Sequence, residues 1–192
     1  MPRRAIFMDR DGTISEEVGY VNHLSRYKLL PHSLAAIRLI NDAGFLAIVT
    51  TNQSGVARGY FAEALVTQVH ERLQSWVRDS GARLDAIYYC PHHPREGPPP
   101  FQADCDCRKP RPGMLQRAAR EHGIDLAGSY MVGDSRVDME AAAAAGVQPV
   151  LVLTGYGRGL VENQRDRLTI EPLTIADNLL DAVRFILEKE KR

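Results

Sequence analysis

Asp9-Arg10-Asp11-Gly12-Thr13 follows the apolar run Ala5-Ile6-Phe7-Met8. In extended backbone, residues two apart share a face, so Asp9 and Asp11 address one point, and Gly12 lets the chain turn away sharply. Two carboxylates leaving an apolar strand together repel each other unless a cation lies beside them. Gly133-Asp134-Ser135-Arg136-Val137-Asp138 offers further carboxylates, with Asp138 placed equally well to cap a helix. Thr50-Thr51-Asn52-Gln53-Ser54-Gly55 supplies hydroxyls, amides and backbone N–H groups that suit a phosphate, and Arg108-Lys109-Pro110 supplies two cations for an anion. Taken singly, each stretch also reads as a turn, a cap or a solvated charged pair.

A second chemistry sits in Cys90-Pro91-His92-His93 and Cys105-Asp106-Cys107, which together read C-x-H-x12-C-x-C. Cys90, His92, Cys105 and Cys107 suit a closed tetrahedral zinc site, with His93 as the competing imidazole. The alternative is three reduced thiols with a solvated histidine. The segment gathers seven of the chain's 11 prolines, Pro91, Pro94, Pro98, Pro99, Pro100, Pro110 and Pro112, so burial alone cannot order it. A metal saturated by protein ligands has no open position for water, which makes this zinc structural. Its expected purpose is to place Arg108 and Lys109, which follow Cys107 directly.

The elements that must position these groups are legible from the apolar pattern. Of 192 residues, 44% are hydrophobic and 25% charged, with 24 Lys plus Arg against 24 Asp plus Glu, enough apolar material for one domain spanning 1–192 with no net field. That balance argues against nucleic acid and membrane partners. No run nears the roughly 18 apolar residues of a membrane helix, the start lacks a signal-peptide core, and three cysteines cannot all pair. A cytoplasmic protein is expected. Nothing demands an oligomer, so a monomer is expected.

Ala5–Met8, Phe45–Val49, Ala86–Tyr89, Tyr130–Val132 and Val150–Leu153 read as short buried parallel strands. Between them, helices are expected from a Ser33 cap to a stop at Gly44, along the stripe Leu65, Val69, Leu73, Trp76 and Val77, from Met114 to His122 before Gly123, and from Asp138 to Ala145 before Gly146. A last helix around Leu179, Leu180, Val183, Ile186 and Leu187 runs into a charged tail, Glu188 to Arg192, expected to fray. Strand and helix alternation predicts an α/β, doubly wound, Rossmann-like parallel sheet of about five strands. Its ligands belong outside the carboxyl ends of the strands.

The acidic, hydroxyl and basic stretches all fall at those strand ends or at a helix start, in a fixed order. In that arrangement they resemble the four motifs of the haloacid dehalogenase superfamily of phosphohydrolases, over Ala5 to about Leu153. The resemblance implies that Asp9 is the nucleophile and Asp11 the general acid/base, with Thr51 and Lys109 holding the transferring phosphoryl group. It also implies a Mg²⁺ site made by Asp9, the backbone carbonyl of Asp11, and Asp134. The connection from Asp11 to Ser33 and the zinc loop, residues 90–107, are each too short to form a separate cap domain.

Asp9 to Thr13, Gly19-Tyr20-Val21, Thr51 to Gly59, Tyr88 to Pro94 and Cys105 to Pro110 together further resemble the heptose-bisphosphate phosphatases of the capless, zinc-loop branch of that superfamily. The implied substrate is a small sugar bisphosphate, a bacterial heptose that loses its 7-phosphate on the way to ADP- or GDP-activated heptose for lipopolysaccharide. Gly19, Tyr20, Asn52, Gln53, Ser54 and Arg108 are the implied substrate contacts. Ser135 and Arg136 follow Asp134 where such relatives often carry Lys, which leaves Arg108 or Arg136 to meet the second phosphate, with Arg58 as an extra cation. The rival readings are a histidinol-phosphate phosphatase, a polynucleotide 3′-phosphatase and a phosphate-binding module without turnover. Zero net charge opposes the second of these, and the presence of both Asp9 and Asp11 opposes the third.

Overall fold

The computed structural model describes residues 3–191; Met1, Pro2 and Arg192 lie outside the described residues. Six parallel strands form one sheet: β1 (Ala5–Met8), β2 (Leu46–Asn52), β3 (Ala86–Cys90), β4 (Tyr130–Gly133), β5 (Gln148–Val152) and β6 (Ile175–Ala176). Their order is β3-β2-β1-β4-β5-β6, so the winding direction reverses between β1 and β4. The helices are α1 (Ser33–Asp42), α2 (Glu63–Asp79), α3 (Gly113–His122), α4 (Arg136–Ala145), α5 (Gly157–Asn163) and α6 (Leu179–Glu190). No helix among the described residues is long and apolar enough to cross a membrane.

Alternation along β1 sorts the core into two layers. Ile6 and Met8 pack with Ile37, Ile40, Leu73, Val77, Val183 and Ile186 of α1, α2 and α6. Ala5 and Phe7 face the other way, against Met114, Leu115 and Ala118 of α3 and Ala141 and Ala142 of α4. A strand buried on both faces needs a continuous apolar run rather than an alternating one, which is why β1 reads as it does.

Several expected boundaries move for identifiable reasons. β2 runs through Thr50, Thr51 and Asn52, because β3 pairs with it from Ile48↔Ala86 to Asn52↔Cys90. Thr51 is therefore a strand residue and not part of the turn. Ser33 does not cap α1: His32 holds the cap position at φ 68°, and the Ser33 hydroxyl donates to the Ile14 carbonyl at 2.8 Å, fastening the loop after β1. Helix α4 starts earlier than expected, since Ser135 and Asp138 form a reciprocal capping box, and it ends on Gly146 in the left-handed conformation. The tail does not fray from Glu188: α6 continues to Glu190, which accepts the Tyr130 hydroxyl at 2.6 Å and pairs with Arg4. Strand β6 and helix α5 give no apolar signal, β6 being two residues long and α5 a short helix anchored by buried Leu160 with half-buried Val161.

Candidate active site

All four stretches picked out by type and order meet at the carboxyl ends of β1, β2 and β4, around the reversal point. A cavity of about 250 Å³ there is lined by Asp9, Asp11, Gly19, Tyr20, Thr51, Asn52, Gln53, Ser54, Lys109, Asp134 and Ser135, with Glu17 and Tyr156 added from loops.

Each group is held by backbone or by a second polar side chain. Asp9 N–H donates to the Val132 carbonyl at 2.9 Å, which stitches the end of β1 to β4, and Asp9 Oδ1 accepts from Arg10 N–H at 2.7 Å. Lys109, wholly buried, sends its ammonium to Thr50 O at 2.8 Å, Asp138 Oδ1 at 2.6 Å and Asp9 Oδ1 at 3.0 Å. The Asn52 amide pairs with the Lys109 backbone in both directions, each at 3.0 Å, tying the end of the cysteine loop to β2. Asn52 thus places Lys109 as well as lining the cavity. Asp11 accepts from Arg10 Nε and Nη2 at 3.1 and 2.7 Å, from Gln53 Nε2 at 2.9 Å and from Ser15 Oγ at 3.3 Å.

Asp134 is confined by glycines. A Cβ on Gly12 or on Gly155 would stand within 2.1 Å of its Oδ2, and both residues have positive φ, so only glycine lets these loops close on the carboxylate. The same oxygen accepts from Tyr156 N–H at 2.8 Å. Asp138, whose role was open between cap and site, serves both: Oδ2 takes Ser135 N–H and Oγ in the capping box while Oδ1 takes Lys109. No sequence spacing announced that ion pair.

The electrostatics call for a further cation. Burial raises the Asp9 carboxyl to about 7, with Lys109 opposing and Asp138 and Asp11 adding to the rise. Burial and then the charges of Asp138 and Asp9 hold Asp134 well above the usual carboxylate range. One ammonium among the three close carboxylates of Asp9, Asp134 and Asp138 leaves negative charge uncompensated in a nearly dry site. Burial alone would lower the Lys109 ammonium, but Asp138 and then Asp9 outweigh it and keep it charged. Oxygen donors in this number fit a hard divalent ion such as Mg²⁺.

The cysteine loop brings Cys90, His92, Cys105 and Cys107 together as a group that could hold a metal ion. Cys90 Sγ lies 3.5 Å from Cys105 Sγ and 3.7 Å from His92 Nδ1, while Cys107 Sγ lies 3.2 and 3.4 Å from the same two atoms. Tetrahedral Zn²⁺ with such ligands has edges of about 3.5–3.8 Å. The three cysteines form no disulfide, and hydrogen bonding from Cys90 first of all brings the Cys107 thiol down to about 5, the direction that suits a metal ligand. His93 stands apart from this cluster, its Nε2 3.0 Å from Arg58.

Three arginines do not line the cavity. Arg58 is not the free cation expected for a second phosphate, because it pairs with Glu96 at 2.5 Å as well as with His93. Arg108 donates to the His92 carbonyl at 3.3 Å and lines a recess of about 200 Å³ shared with Lys109. Arg136 pairs with Glu140 at 2.6 Å and lines an adjoining recess of about 690 Å³ that shares Ser135 and Tyr156 with the cavity.

Comparison with known proteins bears on this arrangement directly. A family model described as HAD-hydrolase-like matches residues 106–182. A D-glycero-beta-D-manno-heptose-1,7-bisphosphate 7-phosphatase of Pasteurella multocida is 41% identical over 91% of this chain and 94% of its own length. The chain belongs to the D-glycero-beta-D-manno-heptose-1,7-bisphosphate 7-phosphatase family. Another such 7-phosphatase, from Haemophilus ducreyi, is 46% identical over 81% of this chain and 86% of its own. The crystal structure of a D,D-heptose 1,7-bisphosphate phosphatase from B. bronchiseptica, complexed with magnesium and phosphate, superposes with a TM-score of 0.85 at 35% identity, covering 97% of this chain and 99% of that one. The fold is therefore the HAD-like α/β fold of this 7-phosphatase family.

Proposed function

We propose that this protein hydrolyses the 7-phosphate of D-glycero-beta-D-manno-heptose 1,7-bisphosphate, giving heptose 1-phosphate for the synthesis of nucleotide-activated heptose. As a member of the 7-phosphatase family it is a phosphoric monoester hydrolase. The observation that carries the mechanism is the convergence of Asp9, Asp11 and Lys109 on one cavity at the β1/β4 reversal. The reading takes residues 1–192 as one phosphatase domain without a separate cap.

Asp9, ionised beside Lys109, attacks phosphorus; an Asp9–phosphorus bond forms as the ester P–O bond breaks. Asp11 gives its proton to the leaving sugar oxygen, then takes one from the water that attacks the aspartyl-phosphate. Lys109, the Thr51 hydroxyl and the backbone N–H groups near Gln53 and Ser54 meet the charge on the phosphoryl oxygens. Asp9, Asp134 and the Asp11 carbonyl would hold Mg²⁺, which supplies charge neutralisation on those oxygens when bound. Gly19, Tyr20, Gln53 and Ser54 line the place of the sugar, and the second phosphate falls to Arg136 or Arg108 in the adjoining recesses. The protein acts in the cytoplasm as a monomer in this reading, with no nucleic acid or membrane partner.

Substrate choice is checked by phosphate release from heptose 1,7-bisphosphate in both anomers, fructose 1,6-bisphosphate, histidinol phosphate and a 3′-phosphorylated oligonucleotide. The β-heptose bisphosphate is expected to give the highest kcat/KM. A higher value with histidinol phosphate would replace the proposal with that activity.

Cys90, His92, Cys105 and Cys107 are proposed to hold one structural Zn²⁺. Elemental analysis should find about one zinc per chain, and Cys107→Ser should make residues 90–107 protease-sensitive and lower kcat/KM by about tenfold through misplacement of Lys109. A zinc-free preparation with full activity would remove this assignment.

A further inference from the structure

Arg10 is the largest fully buried side chain among the described residues, yet it lies just past a strand end whose neighbours do the proposed chemistry. Its guanidinium forks Asp11 through Nε and Nη2, and its third nitrogen, Nη1, lies 3.1 Å from His70 Nε2. Arginine has only donors, so His70 must accept at Nε2 and carry its proton on Nδ1. Burial, reinforced by the Arg10 charge, lowers His70 to about 3, which agrees with a neutral acceptor. His70 stands in the buried stripe of α2 among Val66, Val69, Leu73 and Val77, where an apolar residue would serve the core as well. Its ring meets Tyr89 of β3 edge-on at 5.4 Å, and the Tyr89 hydroxyl returns to Glu63 of α2 at 2.9 Å. The Tyr27 ring closes the other side of the guanidinium at 5.5 Å.

Asp11 Oδ2 is filled by these contacts, accepting from Arg10 and Gln53, while Oδ1 accepts from Arg10 and lies 3.3 Å from Ser15 Oγ, whose one proton is shared with the Arg10 carbonyl at 3.2 Å. A carboxylate oxygen offers about two acceptor sites, so one donor must yield before Oδ2 can exchange a proton with substrate or water. Gln53 is the donor able to yield, because it lines the cavity and has a second acceptor in Thr51 Oγ1 at 2.9 Å. Arg10 is not, since His70 and Tyr27 fix its plane.

We propose that Arg10 and His70 are positioning residues for proton transfer: His70 orients the Arg10 fork, and the fork fixes the Asp11 carboxylate while Gln53 gives way to the reacting oxygen. Neither touches substrate. The inference rests on the reading of Asp11 as the proton carrier. In the first step the proton leaves Asp11 for the departing oxygen as the P–O bond breaks, and Asp11 becomes the carboxylate that the fork holds. In this first step a misplaced Asp11 therefore matters only for a leaving group that needs the proton.

The first step is read in single turnover with a sugar phosphate, whose alkoxide needs protonation, and with p-nitrophenyl phosphate, whose phenolate does not. His70→Leu is expected to slow the sugar ester about 10- to 30-fold and the nitrophenyl ester by less than about threefold, with KM little changed. His70→Gln, which keeps an acceptor, should restore most of the loss. Arg10→Lys keeps the buried charge without the fork and should show the same selectivity, which serves if His70→Leu does not fold. Equal losses on both esters, or none on either, would overturn the inference. Asp11→Asn is the control: a loss confined to the sugar ester there but absent in the His70 and Arg10 variants defeats this inference alone. Equal losses in Asp11→Asn defeat the reading of Asp11 itself.

Discussion

Asp9→Asn is expected to lower kcat by roughly 10⁴- to 10⁶-fold, the scale on which removal of a covalent nucleophile acts. An amide cannot form the acyl-phosphate, and no neighbour can substitute: Asp134 is packed against Gly12 and Gly155, and both oxygens of Asp138 are engaged by Lys109 and Ser135. The variant should fold, since it removes one negative charge from a cluster in which burial and like charge already push Asp9 up to about 7. Its melting temperature should equal or exceed that of the parent when no divalent ion is added. Asp11→Asn separates the two steps. With p-nitrophenyl phosphate it should release about one equivalent of phenolate and then stall as phosphoenzyme, visible by mass spectrometry as one phosphoryl group on the peptide containing Asp9, with steady-state turnover down by about 10²- to 10⁴-fold. An Asp9→Asn protein that kept more than about a hundredth of parental kcat would exclude Asp9 as nucleophile.

Lys109→Met should damage both folding and turnover. The side chain is 1% exposed and its ammonium is the charge partner of Asp9 and Asp138, so truncating it leaves two carboxylates facing one another out of water. Breaking a buried ion pair in this way costs about 3–5 kcal/mol. Loss of the cation at the phosphoryl oxygens should lower kcat by a further factor of about 10²–10³. Coupling distinguishes this from a general packing defect. Asp138→Asn removes one of the stranded charges, so the double variant Lys109→Met/Asp138→Asn is expected to be more stable than Lys109→Met alone by about 1–2 kcal/mol, measured by urea unfolding. Additive effects in that cycle, or a Lys109→Met protein as stable as the parent, would show that the pair does not act as a unit.

The ordering of these effects follows from how the site is assembled. Asp9 and Asp11 are placed by continuation of one buried strand, while Lys109 reaches them only because Asn52 clasps its backbone and the cysteine cluster ends two residues earlier. A site built from distant pieces depends on each clasp.

The chain's local pattern was sufficient for much of this. Ala5–Met8 as a strand with Asp9 and Asp11 at its end, the apolar stripe of α2, the glycine stops at Gly123 and Gly146, and the Cys90, His92, Cys105 and Cys107 grouping depend on periodicity, turn chemistry and ligand type, all of which act over a few residues. The residues that went unread are those whose partners lie far off in sequence. Asp138 can be named a cap, but its bond to Lys109 spans 29 positions; Arg58 reads as an extra cation, though Glu96 lies 38 positions away; His70 draws no notice beside the apolar stripe of its helix, and its partner, Arg10, is 60 positions distant. Even so, each left a trace in residue type: a histidine within an apolar stripe, an arginine between two aspartates.

What the sequence determined by itself is therefore the inventory and its order: which strands end in carboxylates, which loop carries soft ligands, which residues are able to turn. Only the tertiary structure decided which charges neutralise one another. An ionised side chain commits to the partner that the fold leaves within about 3–4 Å in a low-dielectric surrounding, and that distance is set by the parallel register of β1, β2 and β4, not by separation along the chain.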